Sequence, residues 1–253
     1  MKVFVKRREW AAAGSIPDAL GMFSSEVRFY QEVAPVVGVR VPVCVGATED
    51  ETGTLLQLED LSSWTTGASP SAVAAELRRL HERWQGVGLE RWPWLRLPGT
   101  AADLIGSLYD RVWPALQERP ELNDQLRALG ASLVGRVEEA EYAEGTAGPL
   151  TLCHGDTSSN NLATSPTGEI AFLDWEDVRW AAGVTDLAWL LVSSVQPESW
   201  PEVISVYGDA KVEAVLPSVA AQGFFAFSDT AEGSPEAVVW TQRLGEVARR
   251  LDV

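Results

Sequence analysis

Apolar and polar positions follow two periods along this chain, and the change between them falls near residue 62. Before it the apolar runs are short and β-like. Val3-Phe4-Val5 leads into Lys6, and residues 41–46 and 54–58 read as two strands around a polar turn at 48–53. Between the first strand and that pair, Ser24 to Tyr30 reads as a capped helix start with Glu26 in its first turn. Val27, Phe29, Tyr30 and Val33 supply its apolar side. After residue 62 the spacing becomes helical. Val73, Leu77, Leu80 and Trp84 form a core-facing stripe over 72–84. Further helices are expected over 101–116, 121–141, 200–215, 222–227 and 237–251, punctuated by Pro114, Pro120 and Pro201. Two short apolar runs interrupt this texture, 151–153 and 170–173, and each is followed by an acid, Asp156 or Asp174. They are expected to pair as a small hairpin with both acids on one side. The pattern predicts an α+β chain with a β-containing part at 1–62 and a mainly helical part at 63–253. The polar, Gly- and Pro-bearing stretch 62–71 marks the break.

The acids frame a motif. His154-Gly155-Asp156 is followed by Asn161, then by Asp174 after the second apolar run, and by Asp186 in Thr185-Asp186-Leu187. Phosphoryl transfer needs one carboxylate beside the attacking hydroxyl, and hard oxygen donors to hold Mg²⁺ against the phosphates. Asp156, Asn161 and Asp174 are groups of those types in that order. Each piece also has an ordinary reading. His-Gly-Asp is common turn chemistry, and an Asp and an Asn five apart can cap a turn and a helix. A surface strand Lys and a solvated helix Glu are the usual fate of residues such as Lys6 and Glu26. Strand alternation does not by itself choose Lys6 over Lys2 or Arg7 as a functional cation, since both faces of that strand carry apolar residues. A zinc site is disfavoured, because His81, His154, Cys44 and Cys153 form no ligand-spaced pair.

Taken together, these segments resemble the aminoglycoside phosphotransferase and choline kinase superfamily, and in texture the branch that includes ecdysteroid-kinase-like small-molecule kinases. The resemblance runs from Lys2 to about Leu191. It implies a protein-kinase-like two-lobed α+β fold and ATP with Mg²⁺ as cofactors. The acceptor would be a hydroxyl on a small molecule. Asp156 would be the catalytic base, and Asn161 and Asp174 the Mg²⁺ ligands. Asp186 would buttress the loop through its backbone or His154. Lys6 would meet the phosphates, paired with Glu26, and the stretch Glu59 to Leu61 would meet the adenine edge as a hinge. One family element is absent from this sequence: only five residues precede Lys6, whereas two strands and a phosphate-covering turn take about a dozen. A truncated N-terminal lobe with an exposed sheet edge, and weakened ATP affinity or turnover, is therefore expected. The alternative is a pseudokinase-type nucleotide-binding or regulatory module without turnover.

Composition narrows the partners. The net charge of −16 disfavours nucleic acid, which needs a basic surface. It is compatible with steering a cationic acceptor. No apolar run is long enough to span a bilayer, Lys2 and Lys6-Arg7-Arg8 flank too short an apolar run for a signal peptide, and two cysteines give no disulfide framework. The expected compartment is the cytoplasm. Eleven tryptophans suit either core filling or an aromatic pocket wall. Trp84, Trp113 and Trp189 are read as core, and both readings stand for Trp94 and Trp180. His81 is given no role. Glu176 is a candidate to orient the metal site or face the acceptor.

Overall fold

The computed structural model describes residues 2–253. Its first layer is a three-stranded antiparallel sheet of β1 (Val3–Glu9), β2 (Cys44–Asp50) and β3 (Gly53–Glu59), in the order β1-β3-β2. Alternation on β3 puts Leu56 and Leu58 into the core. There they meet α2 (Met22–Arg28), which follows the single turn α1 (Ile16–Ala19) and continues as a π-helical turn, Phe29–Val33. The helix starts two residues before the expected Ser24. Gly21, at φ 60°, caps it by backbone conformation without a side-chain bond. The second strand also lies later than expected. It has a bulge between Cys44 and Gly46 and runs on to Asp50, which leaves a tighter turn.

A short strand, β4 (Thr65–Thr66), falls in the polar stretch after the sheet. The helical part follows with α3 (Pro70–Trp84), α4 (Ala102–Leu116), α5 (Asp124–Leu133) and α6 (Val137–Ala143). The single helix expected over 121–141 is thus two helices. Gly135 at φ 68° breaks it, because a left-handed residue ends the hydrogen-bond ladder. Gly208 at φ 120° likewise ends α8 (Trp200–Tyr207) well short of Val215. The chain closes with α9 (Leu216–Ser228) and α10 (Pro235–Arg250), packed with α7 (Val184–Ser194) around Trp200, Phe224 and Phe227. Among the described residues no helix is long and apolar enough to cross a membrane.

The two acid-bearing strands do not pair with each other. β5 (Leu150–Cys153) pairs antiparallel with β8 (Arg179–Ala182), whereas β7 (Ile170–Phe172) pairs with β6 (Leu162–Thr164), which also pairs with β4. The reason is local. The loop after β5 re-enters an extended conformation at Leu162, and the turn around Gly168 folds that new strand onto β7 before β5 can reach it. The two acid-bearing ends still meet, because His154 Nε2 donates to the Leu173 carbonyl at 2.8 Å. Trp175 seals the join, stacked on Phe29 at 4.1 Å between ring centroids.

Candidate active site

His154 ends β5 buried, and Gly155 turns the chain at φ 91°. A side chain at Gly155 would collide with the Asp177 carbonyl, so the turn requires glycine. The backbone amides it leaves unpaired are taken by Asp186, in the first turn of α7. Its carboxylate accepts from His154 N at 2.8 Å and from Gly155 N at 2.9 Å. His81 Nε2 donates to the same carboxylate at 3.1 Å, and the His81 Nδ1 contact with Tyr207 Oη, at 2.7 Å, completes the set. Burial pushes the Asp186 pKa up, but the bond and charge of His81, with His154 and the Gly155 amide, hold it below the usual carboxylate value. His81, given no role from sequence, is therefore the side-chain partner of the buttressing acid. The stripe of α3 buries it, but nothing local in the sequence announces its partner.

Asp156 emerges from this turn with both oxygens engaged. Asn161 Nδ2 donates to Oδ2 at 2.7 Å, and Trp189 Nε1 donates to Oδ1 at 2.6 Å. The reading of Trp189 as plain core is corrected by that bond: its ring is half-buried and its N–H orients the acid. Trp180 is core, against Trp92, and Trp94 bonds Glu32 at 2.9 Å on the surface, under the Arg28 guanidinium. Asn161 is tied to the second acid through its backbone carbonyl, which accepts from Leu173 N at 2.8 Å. Asp174 follows in a left-handed conformation, φ 57°, a backbone state that Asp tolerates better than most residues.

Across from Asp174 stands β1. Lys6 Nζ donates to both Glu26 oxygens, at 2.8 and 2.7 Å, and to Asp174 Oδ1 at 2.7 Å. Burial raises the Glu26 pKa, the Lys6 charge lowers it, and Asp174 raises it again. Arg8, two residues along the same strand face, pairs with Glu176 and approaches Asp174 at 3.5 Å. The i, i+2 relation of Arg8 to Lys6 is the one signal the sequence carries for this placement.

Two cavities of about 390 Å³ each flank this group. One is lined by Lys6, Glu26, Leu61, Asn161 and Asp174, and by Glu59, whose carboxylate is held by Arg40 at 2.6 Å and Val43 N at 3.1 Å. The other is lined by Asp156, Glu176, Trp189, Phe225 and a charged floor. In that floor Arg96 pairs with Asp177. Arg179 lies 3.6 Å from both Asp177 and Glu144. Glu141 lies buried beside them, and among the described residues its Oε1 has no hydrogen-bond partner. Burial, then the neighbouring Glu144, push the Glu141 pKa up to about 7. The sign follows from linkage. The folded state prefers the protonated acid, so its contribution to stability is complete below the unfolded pKa of 4.5 and is lost as pH rises through about 7. Glu141→Gln, a neutral isostere, should therefore stabilise the chain by roughly 3 kcal/mol at pH 8 but by under about 1 kcal/mol at pH 5. Denaturant melts of both proteins at the two pH values read this directly, and a pH-independent difference would contradict it.

The phosphotransferase enzyme family model matches residues 14–221. Three solved structures share the fold. The choline kinase LicA from Streptococcus pneumoniae is 16% identical, with a TM-score of 0.55, covering 98% of this chain and 85% of that one. Spectinomycin phosphotransferase APH(9)-Ia, solved with ADP and spectinomycin, is 12% identical with a TM-score of 0.58, covering 99% and 86%. The aminoglycoside phosphotransferase APH(3'')-Id from Streptomyces rimosus, solved with ADP and streptomycin, is 17% identical with a TM-score of 0.56, covering 88% and 86%. With the match spanning most of its length, and with an α+β, kinase-like architecture, this chain belongs to the phosphotransferase enzyme family.

Proposed function

We propose that this protein transfers the γ-phosphate of ATP to a hydroxyl of a small molecule. The observation that carries the reading is the position of Asp156. It lines one cavity while its bonded neighbour Asn161 and the adjoining Asp174 line the other. A phosphoryl group passing between the cavities would meet a base on the acceptor side and oxygen ligands on the nucleotide side. In this reading the region 1–62 is the nucleotide-facing lobe and 63–253 carries the catalytic and metal loops. Lys6, fixed by Glu26, meets the phosphates, and the chain from Glu59 to Leu61 meets the base. His154 and Asp186 hold the loop. Such an ATP-dependent reaction belongs in the cytoplasm.

The residues fit Mg²⁺. Asn161 spends its side-chain nitrogen on Asp156, which leaves its side-chain Oδ1 to serve as a metal ligand. Asp174 already faces the cation Lys6. Two hard oxygens of this kind suit an ion that binds through one or two side chains plus phosphates. Bound there, Mg²⁺ would neutralise charge on the phosphates. The chain's own part is to position: Lys6 orients the phosphates, and Asp156 accepts the hydroxyl proton on the opposite side. Choline kinase and the spectinomycin and streptomycin complexes among the solved structures, with the net charge of −16 here, favour a cationic acceptor.

Thermal stability with Mg²⁺ and ATP tests the reading. A ligand at a hundred times its dissociation constant stabilises the native state by about 2.7 kcal/mol. The shift should vanish with EDTA, and Asp174→Ala should remove most of it. A wild-type chain that Mg²⁺ and ATP leave unchanged would overturn the nucleotide reading.

A further inference from the structure

Arg8 is not needed to fix Glu26. Lys6 alone donates to both of its oxygens, and the Arg8 guanidinium stays 3.9 Å away. Nor is it a free surface side chain. Arg7, on the opposite face of β1, is exposed, whereas Arg8 is half-buried. Its guanidinium carbon lies 4.7 Å from the centroid of the Phe23 ring, within cation–π range. It pairs closely with Glu176, which lines the acceptor-side cavity, and more loosely, at 3.5 Å, with Asp174, which lines the nucleotide-side cavity. Carboxylate oxygens of Glu26, Asp174 and Glu176 all lie within 4.8 Å of one another. Two cations therefore stand among three acids: Lys6 lines the nucleotide-side cavity itself, and Arg8 reaches the walls of both through its partners Asp174 and Glu176.

From this placement we infer that Arg8 is a second phosphate-binding cation, and that it takes the terminal phosphate of a nucleoside triphosphate at the point where it passes to the acceptor. The inference rests on the nucleotide reading above. Its physical basis is competition for Asp174. A cation bound to that carboxylate displaces the long Arg8 contact and leaves the fork of donors anchored at one end only, by Glu176. A guanidinium so held presents its remaining N–H groups to phosphate oxygens in the planar geometry that Arg offers and Lys does not. Lys6, bonded to Glu26 and lining the nucleotide-side cavity, is left for the inner phosphates.

Binding, measured by calorimetry with Mg²⁺, separates the possibilities. The probes are β,γ-imido ATP, ADP and AMP, with the wild type, Arg8→Gln and Arg8→Lys. Losing a hydrogen-bonded charge at the terminal phosphate should weaken β,γ-imido ATP roughly 10- to 100-fold in Arg8→Gln. ADP should weaken much less and AMP not at all. Arg8→Lys, which keeps the charge but not the fork, should fall between, and it keeps the test alive if Arg8→Gln does not fold. An unchanged ratio of ADP to β,γ-imido ATP affinity in both variants, with the wild type binding normally, would overturn the role of Arg8 alone. A wild type that binds none of the three would overturn the nucleotide reading and this inference with it.

Discussion

Asp156→Ala should lower phosphate transfer by roughly 100- to 10,000-fold, the range expected for losing a positioned general base, while Mg²⁺–ATP affinity changes by less than a few-fold. The separation follows from where the side chain stands. Asp156 lines the cavity proposed for the acceptor and contributes nothing to the wall of the one proposed for the nucleotide. The bonds its two oxygens accept from the Asn161 and Trp189 side chains explain why Asp156→Asn should be nearly as damaging. Both carboxylate oxygens receive an N–H, so an amide must turn its own NH₂ toward one of two donors. Transfer from radiolabelled ATP to a panel of amino sugars and quaternary amines measures turnover, and calorimetry measures binding. Equal loss of both would mean that Asp156 holds nucleotide and not acceptor. Loss of turnover with a lower KM would point to relief of ground-state strain.

Trp189 and Asn161 also mark the limit of what the sequence made legible. The motif residues were readable because each is a chemical type at a fixed offset, and a turn of this kind leaves little freedom in where they point. The α+β class was readable because short β-like runs fill the chain before residue 62 and long helical stripes dominate after it, with the runs at 151–153 and 170–173 standing out against them. Strand partners were not. The expected pairing of 151–153 with 170–173 failed because Leu162–Thr164, three residues long, carries too little periodicity to be seen, yet it takes β7 as its partner. Helix ends failed where one glycine decided them, at Gly135 and Gly208. Contacts across the fold were the least legible. The bond of His81 to Asp186 spans 105 residues, and that of Trp189 to Asp156 spans 33. The buried charge set of Arg96, Glu141, Glu144, Asp177 and Arg179 draws on three separated segments of the chain. None of these leaves a local signature, since the partners are brought together only by packing. Arg8 differs, because strand alternation alone places it on the face of β1 that carries Lys6.

Asp186→Ala should cost about 3–5 kcal/mol of stability, the usual penalty for breaking a buried, hydrogen-bonded charge set from one side. For a chain of this length each kcal/mol moves the melting temperature by about 2–4 °C, so the midpoint should fall by roughly 10 °C. Three donors lose their acceptor at once: the amides of His154 and Gly155, and His81 Nε2. None lies where water can reach it freely, since His154, His81 and Asp186 are all buried. Such orphaned donors carry their full desolvation cost. The pH dependence has a definite sign. Because the folded pKa of Asp186 is depressed, its contribution is present above the unfolded value of 3.8 and is lost as pH falls through the lower folded value. The gap between wild type and Asp186→Ala should therefore be full above the unfolded value of 3.8 and narrow as the pH is lowered below it. Hydrogen exchange sharpens the test, because the two freed amides flank the turn that carries Asp156. Protection at His154 and Gly155 should drop in the variant by more than the global loss of stability requires. A uniform loss across the chain would mean that Asp186 supports the helical core in general, and that the catalytic turn is held by something other than this carboxylate.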